Sequence, residues 1–379
     1  MLCGKALRRS ATGAFASLER LPVSKIMTTD TLSRPVLHIV SNADERFYPG
    51  LALAVASAVA AASGACDYRF LILDGGLPSD ELRNLSASIA RIAGAKNMRA
   101  TLEPLSIDLN RLAVLPERRG SRMTYAKLVL PEILASLDSI IYLDADVLCL
   151  TGIEAIHPPA GETDWLLAGA RDFFGVIEKD CPWIAQVPVE ERRLPYINCG
   201  MMWMNLKGLR DIDFTGRSIA ARAAAGEARQ GDQAVFNFLC RGKSHILPDS
   251  INHRTGIGSN RPLCAGNTNL NIHYIGSPKP WLGRPRTCEW LAHRVWHQAR
   301  AALLPEMDVV ETEAPPHDLA TIRRKAFLYS LINPRRAAQY RSDLESLGDP
   351  GGILAATRER WKSLPIPANS VPTGITAPS

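Results

Sequence analysis

Two carboxylates, Asp144 and Asp146, close an apolar run with only Ala145 between them, in Ser139-Ile-Ile-Tyr-Leu-Asp-Ala-Asp-Val-Leu-Cys-Leu150. A run this rich in isoleucine and leucine reads as a buried strand. Side chains two apart on a strand point the same way. Two acids on one side of a buried strand's end are costly unless something positive sits between them. The usual remedy is a hard divalent cation held by oxygen ligands, with substrate phosphates completing its shell.

The elements that would position these acids can be read along the chain. Val36–Ser41 is a first strand, and Pro49 opens an alanine-rich helix that runs to about Ser63. Tyr68–Asp74 is a second strand ended by Gly75-Gly76, and Pro78 precedes a helix to about Gly94. Met98–Leu105 reads as a third strand and Thr124–Leu137 as a helix leading into the Asp-Ala-Asp strand. Trp165–Ala170 is a strand that ends near Asp172, and Cys199–Leu206 is another, preceded by Asn198. An Ala- and Arg-rich helix follows, then a helix from Gly231 and a short strand, Ile272–Gly276. This alternation predicts an α/β fold: a mostly parallel, Rossmann-like mixed sheet flanked by helices. Ligands of such sheets bind beyond the carboxyl ends of the strands, where Asp44 and the Asp144/Asp146 pair both fall.

The bulk composition sets bounds. With 379 residues, 46% of them hydrophobic, the chain can bury one large core or two modest ones. The net charge of +6 is mild, and no recognisable module supports a nucleic-acid partner. The eight cysteines include no C-x-x-C pair and read as reduced thiols of a cytoplasmic protein. No stretch has the leucine-rich hydrophobicity of a membrane span.

Five features fall in order: an acid after the first strand, Asp-Ala-Asp, Asn198-Cys-Gly before an apolar strand, Gly-Asp232-Gln233, and His273-Tyr-Ile-Gly-Ser-Pro-Lys-Pro-Trp281. Together they resemble glycosyltransferase family 8, the retaining transferases that take sugar from a nucleotide diphosphate. The resemblance covers about residues 36–283. It implies a GT-A type fold, a UDP-hexose donor (galactose or glucose) and a divalent metal, Mn2+ or Mg2+. It further implies a saccharide or glycolipid acceptor in bacterial lipopolysaccharide or surface glycan synthesis.

The resemblance also implies roles. Asp144, Asp146 and His273 would hold the metal, and their mixed oxygen and nitrogen set suits Mn2+ better than Ca2+. For His273 the alternative is a satisfied histidine in a core strand. Gly276 permits close backbone approach to phosphate and Lys279 adds a point charge. Lys127 sits where many relatives carry arginine, so it keeps the charge without the bidentate fork, and a surface lysine is the alternative. Asn42, Ala43 and Asp44 follow the first strand; Ala43 and Asp44 would line the uracil pocket, while a turn residue is the other reading of Asp44. Ala145 lies within the metal motif. Asp172, Asn198, Asp232 and Gln233 match sugar-binding positions, with Asp232 and Gln233 nearest the chemistry, and amides and carboxylates suit hydroxyls. Asp232 could equally cap its helix. His293 and His297 share a helical face, but no Glu follows His293 to complete a zinc-protease motif, so they read as surface or packed residues.

From Ala320 to Arg341 six basic residues and no acid are interleaved with Phe327, Leu328, Tyr329, Leu331 and Ile332. That mixture suits an anionic membrane surface; a packed helix with a solvated basic face is the alternative. The expected organisation is a flexible leader at 1–34, a catalytic domain at 35–283, a mostly helical basic region at 284–365 and a disordered tail at 366–379. The enzyme would be cytoplasmic, with peripheral contact to the inner face of the plasma membrane. Two rival functions use similar folds. A sugar nucleotidyltransferase would want a glycine-rich basic loop after the first strand, and Ser41-Asn-Ala-Asp-Glu-Arg46 is acidic. A nucleotide-sugar-binding protein without turnover would have little need to keep all of the residues above.

Overall fold

The computed structural model describes residues 34–117, 121–159, 161–162, 164–225, 231–255, 263, 269–286, 289–310, 318–349, 352–362 and 364. The expected leader, apart from Arg34, and the expected tail lie outside the described residues.

The first half alternates as its sequence pattern dictates. Strand β1 (Val36–Ala43) leads to helix α1 (Tyr48–Ala61), β2 (Asp67–Asp74), α2 (Ser79–Gly94) and β3 (Ala100–Ser106). Helix α2 carries Leu82, Leu85, Ile89 and Ile92 on one buried face, the spacing of an amphipathic helix. Helix α1 has no polar face and is buried from Leu51 to Ala60. It lies among the main sheet, β5 and α7, so apolar residues all round are what its position requires.

The second half holds α3 (Leu130–Ile133), β4 (Ser139–Leu143), β5 (Val147–Cys149), β6 (Leu167–Val176), β7 (Pro195–Asn205), α4 (Leu206–Asp211), α5 (Phe214–Ala224), α6 (Gly231–Leu239), β8 (Ser244–Leu247), β9 (His253–Thr255) and β10 (Asn271–Tyr274). Helices α7 (Trp290–Leu303), α8 (Leu319–Ile332), α9 (Pro334–Leu347) and α10 (Ile353–Trp361) follow.

The expected long helix over Thr124–Leu137 is a 3-10 turn, Met123–Val129, followed by the single turn of α3. Pro131 accounts for the break: it has no N–H to give to a carbonyl one turn back, so it is accommodated only in the first turn of α3.

Seven strands form one mixed sheet in the order β3-β2-β1-β4-β7-β6-β8. Four of its pairings are parallel and two, those of β7 with β4 and β6, are antiparallel. A small second sheet runs β5-β10-β9. Alternate residues of β4 feed opposite faces: Ile141 and Leu143 join one core with α1, α2, α7 and α10, while Ile140 and Tyr142 join the other with α4–α6. No helix among the described residues is long and apolar enough to cross a membrane.

Candidate active site

Parallel pairing brings the carboxyl ends of β1 and β4 to one edge of the sheet, and the two acids stand there, though not on a strand. Sequence reasoning put both acids on one side of a buried strand's end. In the structure β4 stops at Leu143, β5 starts at Val147, and Asp144-Ala145-Asp146 form the turn between them. The chain changes sheets here, since β4 pairs with β7 and β5 pairs with β10. The turn is pinned on both sides: Asp144 N–H donates to the Gly200 carbonyl at 2.7 Å and Tyr274 N–H donates to the Asp146 carbonyl at 2.9 Å.

The β5–β10 register sets His273 opposite Val147, one residue past Asp146. His273 Nε2 lies 3.1 Å from Asp146 Oδ1 and 3.8 Å from Asp144 Oδ2. One ligand atom from each of Asp144, Asp146 and His273 falls within 4.8 Å of the other two. Gly200 makes room for this cluster. A Cβ there would stand 2.1 Å from His273 Cε1 and 2.7 Å from Asp144 Oδ2.

Two buried lysines answer the acids. Lys127 is only 4% exposed, which removes the surface-lysine alternative. Its Nζ lies 3.1 Å from Asp144 Oδ1 and 2.9 Å from Asp232 Oδ2, and sits over the Tyr142 ring. Burial pulls the Lys127 ammonium down, but Asp144 and Asp232 more than reverse this and hold it well above the ordinary lysine value. Lys279 Nζ contacts Asp146 Oδ2 and donates to the Tyr274 carbonyl at 2.6 Å. Burial pushes the Asp146 carboxyl up; the Lys279 ammonium and the hydrogen bonds from Lys279 and His273 outweigh it and hold Asp146 well below the usual carboxylate range. Three carboxylates therefore face two ammoniums in a largely buried space, leaving negative charge over.

Asp172 and Asn198 lie within β6 and β7 rather than beyond a strand end and before a strand, as expected. They still reach the same edge. Strand β7 runs antiparallel to β4 and is much longer, so its first half overhangs the end of β4, and β6 follows it outward. Asn198 Nδ2 donates to Asp172 Oδ2 at 2.9 Å and to Gln233 Oε1 at 3.0 Å, and Cys199 N–H donates to the same Gln233 oxygen at 3.1 Å. Asp232 and Gln233 stand in the first turn of α6. Asp232 is tied to Lys127, and Thr124 Oγ1 donates weakly to it at 3.4 Å.

Asp44 caps the turn after β1, accepting from Phe47 N–H at 3.1 Å, as a strand-end turn residue does. Ala43 is buried and its carbonyl accepts from Gly75 N–H at 2.9 Å. Asn42 donates to the Met123 carbonyl at 2.7 Å, and its Oδ1 accepts from the Tyr142 hydroxyl. Gly276 adopts φ +80° and leads to Lys279. Trp281 fastens that loop to the one after β1: its indole N–H donates to the Arg46 carbonyl at 3.1 Å and its ring packs edge-on to Phe47. Ala145 is buried, and Gly50 lets its carbonyl approach, since a Cβ there would meet it at 2.5 Å and Trp281 at 2.3 Å. His293 and His297 are packed rather than exposed.

Three site residues escaped sequence reasoning. The Tyr142 hydroxyl lies 2.9 Å from Asp144 Oδ1 and also touches Asn42 Oδ1, so its one hydrogen is shared between the two oxygens. Its signal was a lone hydroxyl inside a buried strand, which needs a partner. Gly200 was quoted within a motif but not for its missing side chain. Asn252, fully buried, bonds His273 and Asn198 and carried no signal at all.

The donor set fits a divalent cation on its chemistry: two carboxylates and one imidazole converge, with negative charge left over. Lys279, Lys127 and the glycine-bearing loop stand beside it, as an anionic ligand would need.

A mixed α/β sheet with a paired-acid turn at its carboxyl edge is the architecture of a sugar-transferring enzyme of GT-A type. Residues 38–284 match Glycosyl transferase family 8, and the chain belongs to that family. A curated relative is the lipopolysaccharide 1,2-glucosyltransferase of Escherichia coli (strain K12), 26% identical over 258 residues, spanning 65% of this chain and 72% of that one. Among solved structures, the galactosyltransferase LgtC in complex with donor and acceptor sugar analogs has a TM-score of 0.57 at 24% identity, covering 71% of this chain and 96% of that one. The bifunctional glycosyltransferase WbbM has a TM-score of 0.51 at 17% identity, over 66% of this chain and 47% of that one. These likenesses are of fold.

Proposed function

We propose that this glycosyltransferase moves a hexose, galactose or glucose, from a UDP-sugar to a saccharide acceptor, with retention at the anomeric carbon and a bound Mn2+ or Mg2+. The observation that carries the reading is the convergence of Asp144, Asp146 and His273 beside two buried lysines. When bound, the metal supplies charge neutralisation to the departing diphosphate.

The remaining work falls to the chain. Lys279 and the Gly276 backbone would face the diphosphate, and Lys127 would add a second cation from the other side. Ala43 and Asp44 would receive the uracil, with Asn42 holding their loop. Asp172, Asn198 and Asp232 would orient the sugar hydroxyls, and Gln233 would stand near the anomeric carbon. An amide there is a poor nucleophile, and Asp232 is already paired with Lys127. Both points favour attack by the acceptor hydroxyl on the leaving group's own face, with the departing phosphate taking its proton, over a covalent sugar–carboxylate intermediate.

The acceptor is proposed to be a glycan of bacterial lipopolysaccharide or a related surface polymer, in keeping with the activity named for the Escherichia coli relative. Helix α8 supports work at a cytoplasmic membrane face. Phe327, Leu328, Leu331 and Ile332 are exposed on it beside exposed Arg323 and Arg324, and Arg336 and Arg341 follow on α9. Such a mixture binds anionic headgroups while dipping apolar side chains below them. The test is a screen of UDP-sugars for slow hydrolysis, read as released UDP, with Mn2+ and with chelator. Metal-dependent UDP release from UDP-glucose or UDP-galactose is expected; release that ignores the metal would refute the reading.

A further inference from the structure

We propose that Asn252 is a positioning residue that sets the tautomer and orientation of His273 for metal binding and links it to the sugar-binding amides. The inference rests on the proposed metal reading. Asn252 ends a 3-10 turn, Asp249–Asn252, just before β9, the strand that pairs with the His273 strand β10. It is fully buried, so its amide must find partners inside the protein. One partner is His273, with Nδ1 and Asn252 Oδ1 3.0 Å apart. The other is Asn198, whose Oδ1 accepts from Asn252 Nδ2 at 2.8 Å.

Groups with no freedom of role fix this direction. Asn198 Oδ1 also accepts from the Gly200 N–H at 3.1 Å, and a backbone N–H can only donate. Asn198 Nδ2 faces the Asp172 carboxylate at 2.9 Å, and an ionised carboxylate can only accept. Asn198 therefore turns its oxygen toward Asn252, and Asn252 must answer with its NH2. That leaves the Asn252 oxygen for His273, so Nδ1 carries the hydrogen. Nε2, on the side of Asp144 and Asp146, is then the nitrogen left to a metal. An outer partner that holds the far nitrogen in this way orients a metal-ligating histidine.

The same chain of amides runs on from Asn198 to Gln233. The metal ligand and the proposed sugar site thus share one continuous hydrogen-bonded unit, with Asn252 as the link between them.

The experiment measures Mn2+ affinity of the full-length protein, from the electron paramagnetic resonance signal of free Mn2+, with and without UDP. N252A removes both bonds, and about a 10- to 100-fold weaker Mn2+ affinity is expected. N252D keeps an acceptor for Nδ1 but loses the donor to Asn198. It is expected to hold Mn2+ close to wild-type affinity while raising KM for the UDP-sugar. A merely structural role would weaken both variants alike, in step with their melting temperatures. The proposal is overturned if N252A binds Mn2+ like wild type, or if N252D loses Mn2+ binding as a variant lacking the acceptor would. Should N252A not fold, the N252D result alone decides. A wild type that binds no Mn2+ overturns the metal reading and this inference with it; a binding wild type matched by N252A overturns this inference alone.

Discussion

Replacing Gly200 by alanine tests whether the two acids and the histidine act as one cluster. The added methyl group would stand 2.1 Å from His273 Cε1, and ordinary van der Waals contact begins near 3.4 Å. Something must therefore shift by more than an ångström. The backbone of Gly200 has little freedom, because its carbonyl accepts from Asp144 N–H and its N–H donates to Asn198. His273 has little more, held by the β10 pairings and by Asn252. Asp144 Oδ2 is the second obstacle, at 2.7 Å. Overpacking of this kind costs about 1–3 kcal/mol of stability, which a thermal melt would register as a modest loss. A displacement of about 1 Å in a catalytic group costs about 10²-fold in rate, equivalent to about 2.7 kcal/mol of barrier. The assay is Mn2+-dependent release of UDP, with Mn2+ varied to saturation. Gly200→Ala is expected to remain folded, to need far more Mn2+ and to turn over about a hundredfold more slowly. A folded variant with wild-type Mn2+ dependence and rate would mean that Asp144 and His273 do not work together.

Other perturbations probe other parts. Lys127→Met would strand Asp144 and Asp232 without their shared buried cation, and a loss of about 3–5 kcal/mol in denaturant unfolding is expected; unchanged stability would show the pairs to be unimportant. Burial first, then the charges of His297, Lys279 and Arg286, lower the His293 pKa from 6.5 to about 3. The unfolded chain then binds the extra proton between these values, so stability falls as pH drops from 6.5 toward 3, by at most about 5 kcal/mol. His293→Gln should flatten that part of a melting-temperature profile, and an unaltered profile would contradict the assignment. Replacing Phe327, Leu331 and Ile332, all exposed on α8, by serine should weaken binding to anionic vesicles in a sedimentation assay and spare turnover on a soluble acceptor. Vesicle binding that survives these changes would leave α8 a packing role only.

Much of this architecture was legible in the sequence, for identifiable reasons. Helix α2 announces itself by the spacing of Leu82, Leu85, Ile89 and Ile92, and β1, β2 and β4 by apolar runs that parallel strands require. Failures cluster where tertiary pairing overrides local pattern. The run Ser139–Leu150 is continuously apolar except at its acids, so nothing local reveals that the chain leaves one sheet for another at Asp144. Asn198 sits mid-strand because β7 overhangs β4, a consequence of relative strand lengths that no single strand encodes. The stretch Thr124–Leu137 read as one helix by its apolar pattern, although Pro131 within it cannot sit in a helix interior. Residues with intrinsic chemistry, such as Asp146, His273 and Lys279, stood out by type and order. Gly200 and Asn252 did not, because one acts through a missing atom and the other through partners distant in the chain.

The most direct measurement is anomalous diffraction at the manganese edge from crystals grown with Mn2+ and UDP. One strong peak is expected within ligating distance of Asp144, Asp146 and His273, joined to diphosphate density that Lys279 also touches. Diphosphate density in this cleft with no manganese beside the three residues, or a peak held by other side chains, would contradict the metal-centred reading of the site.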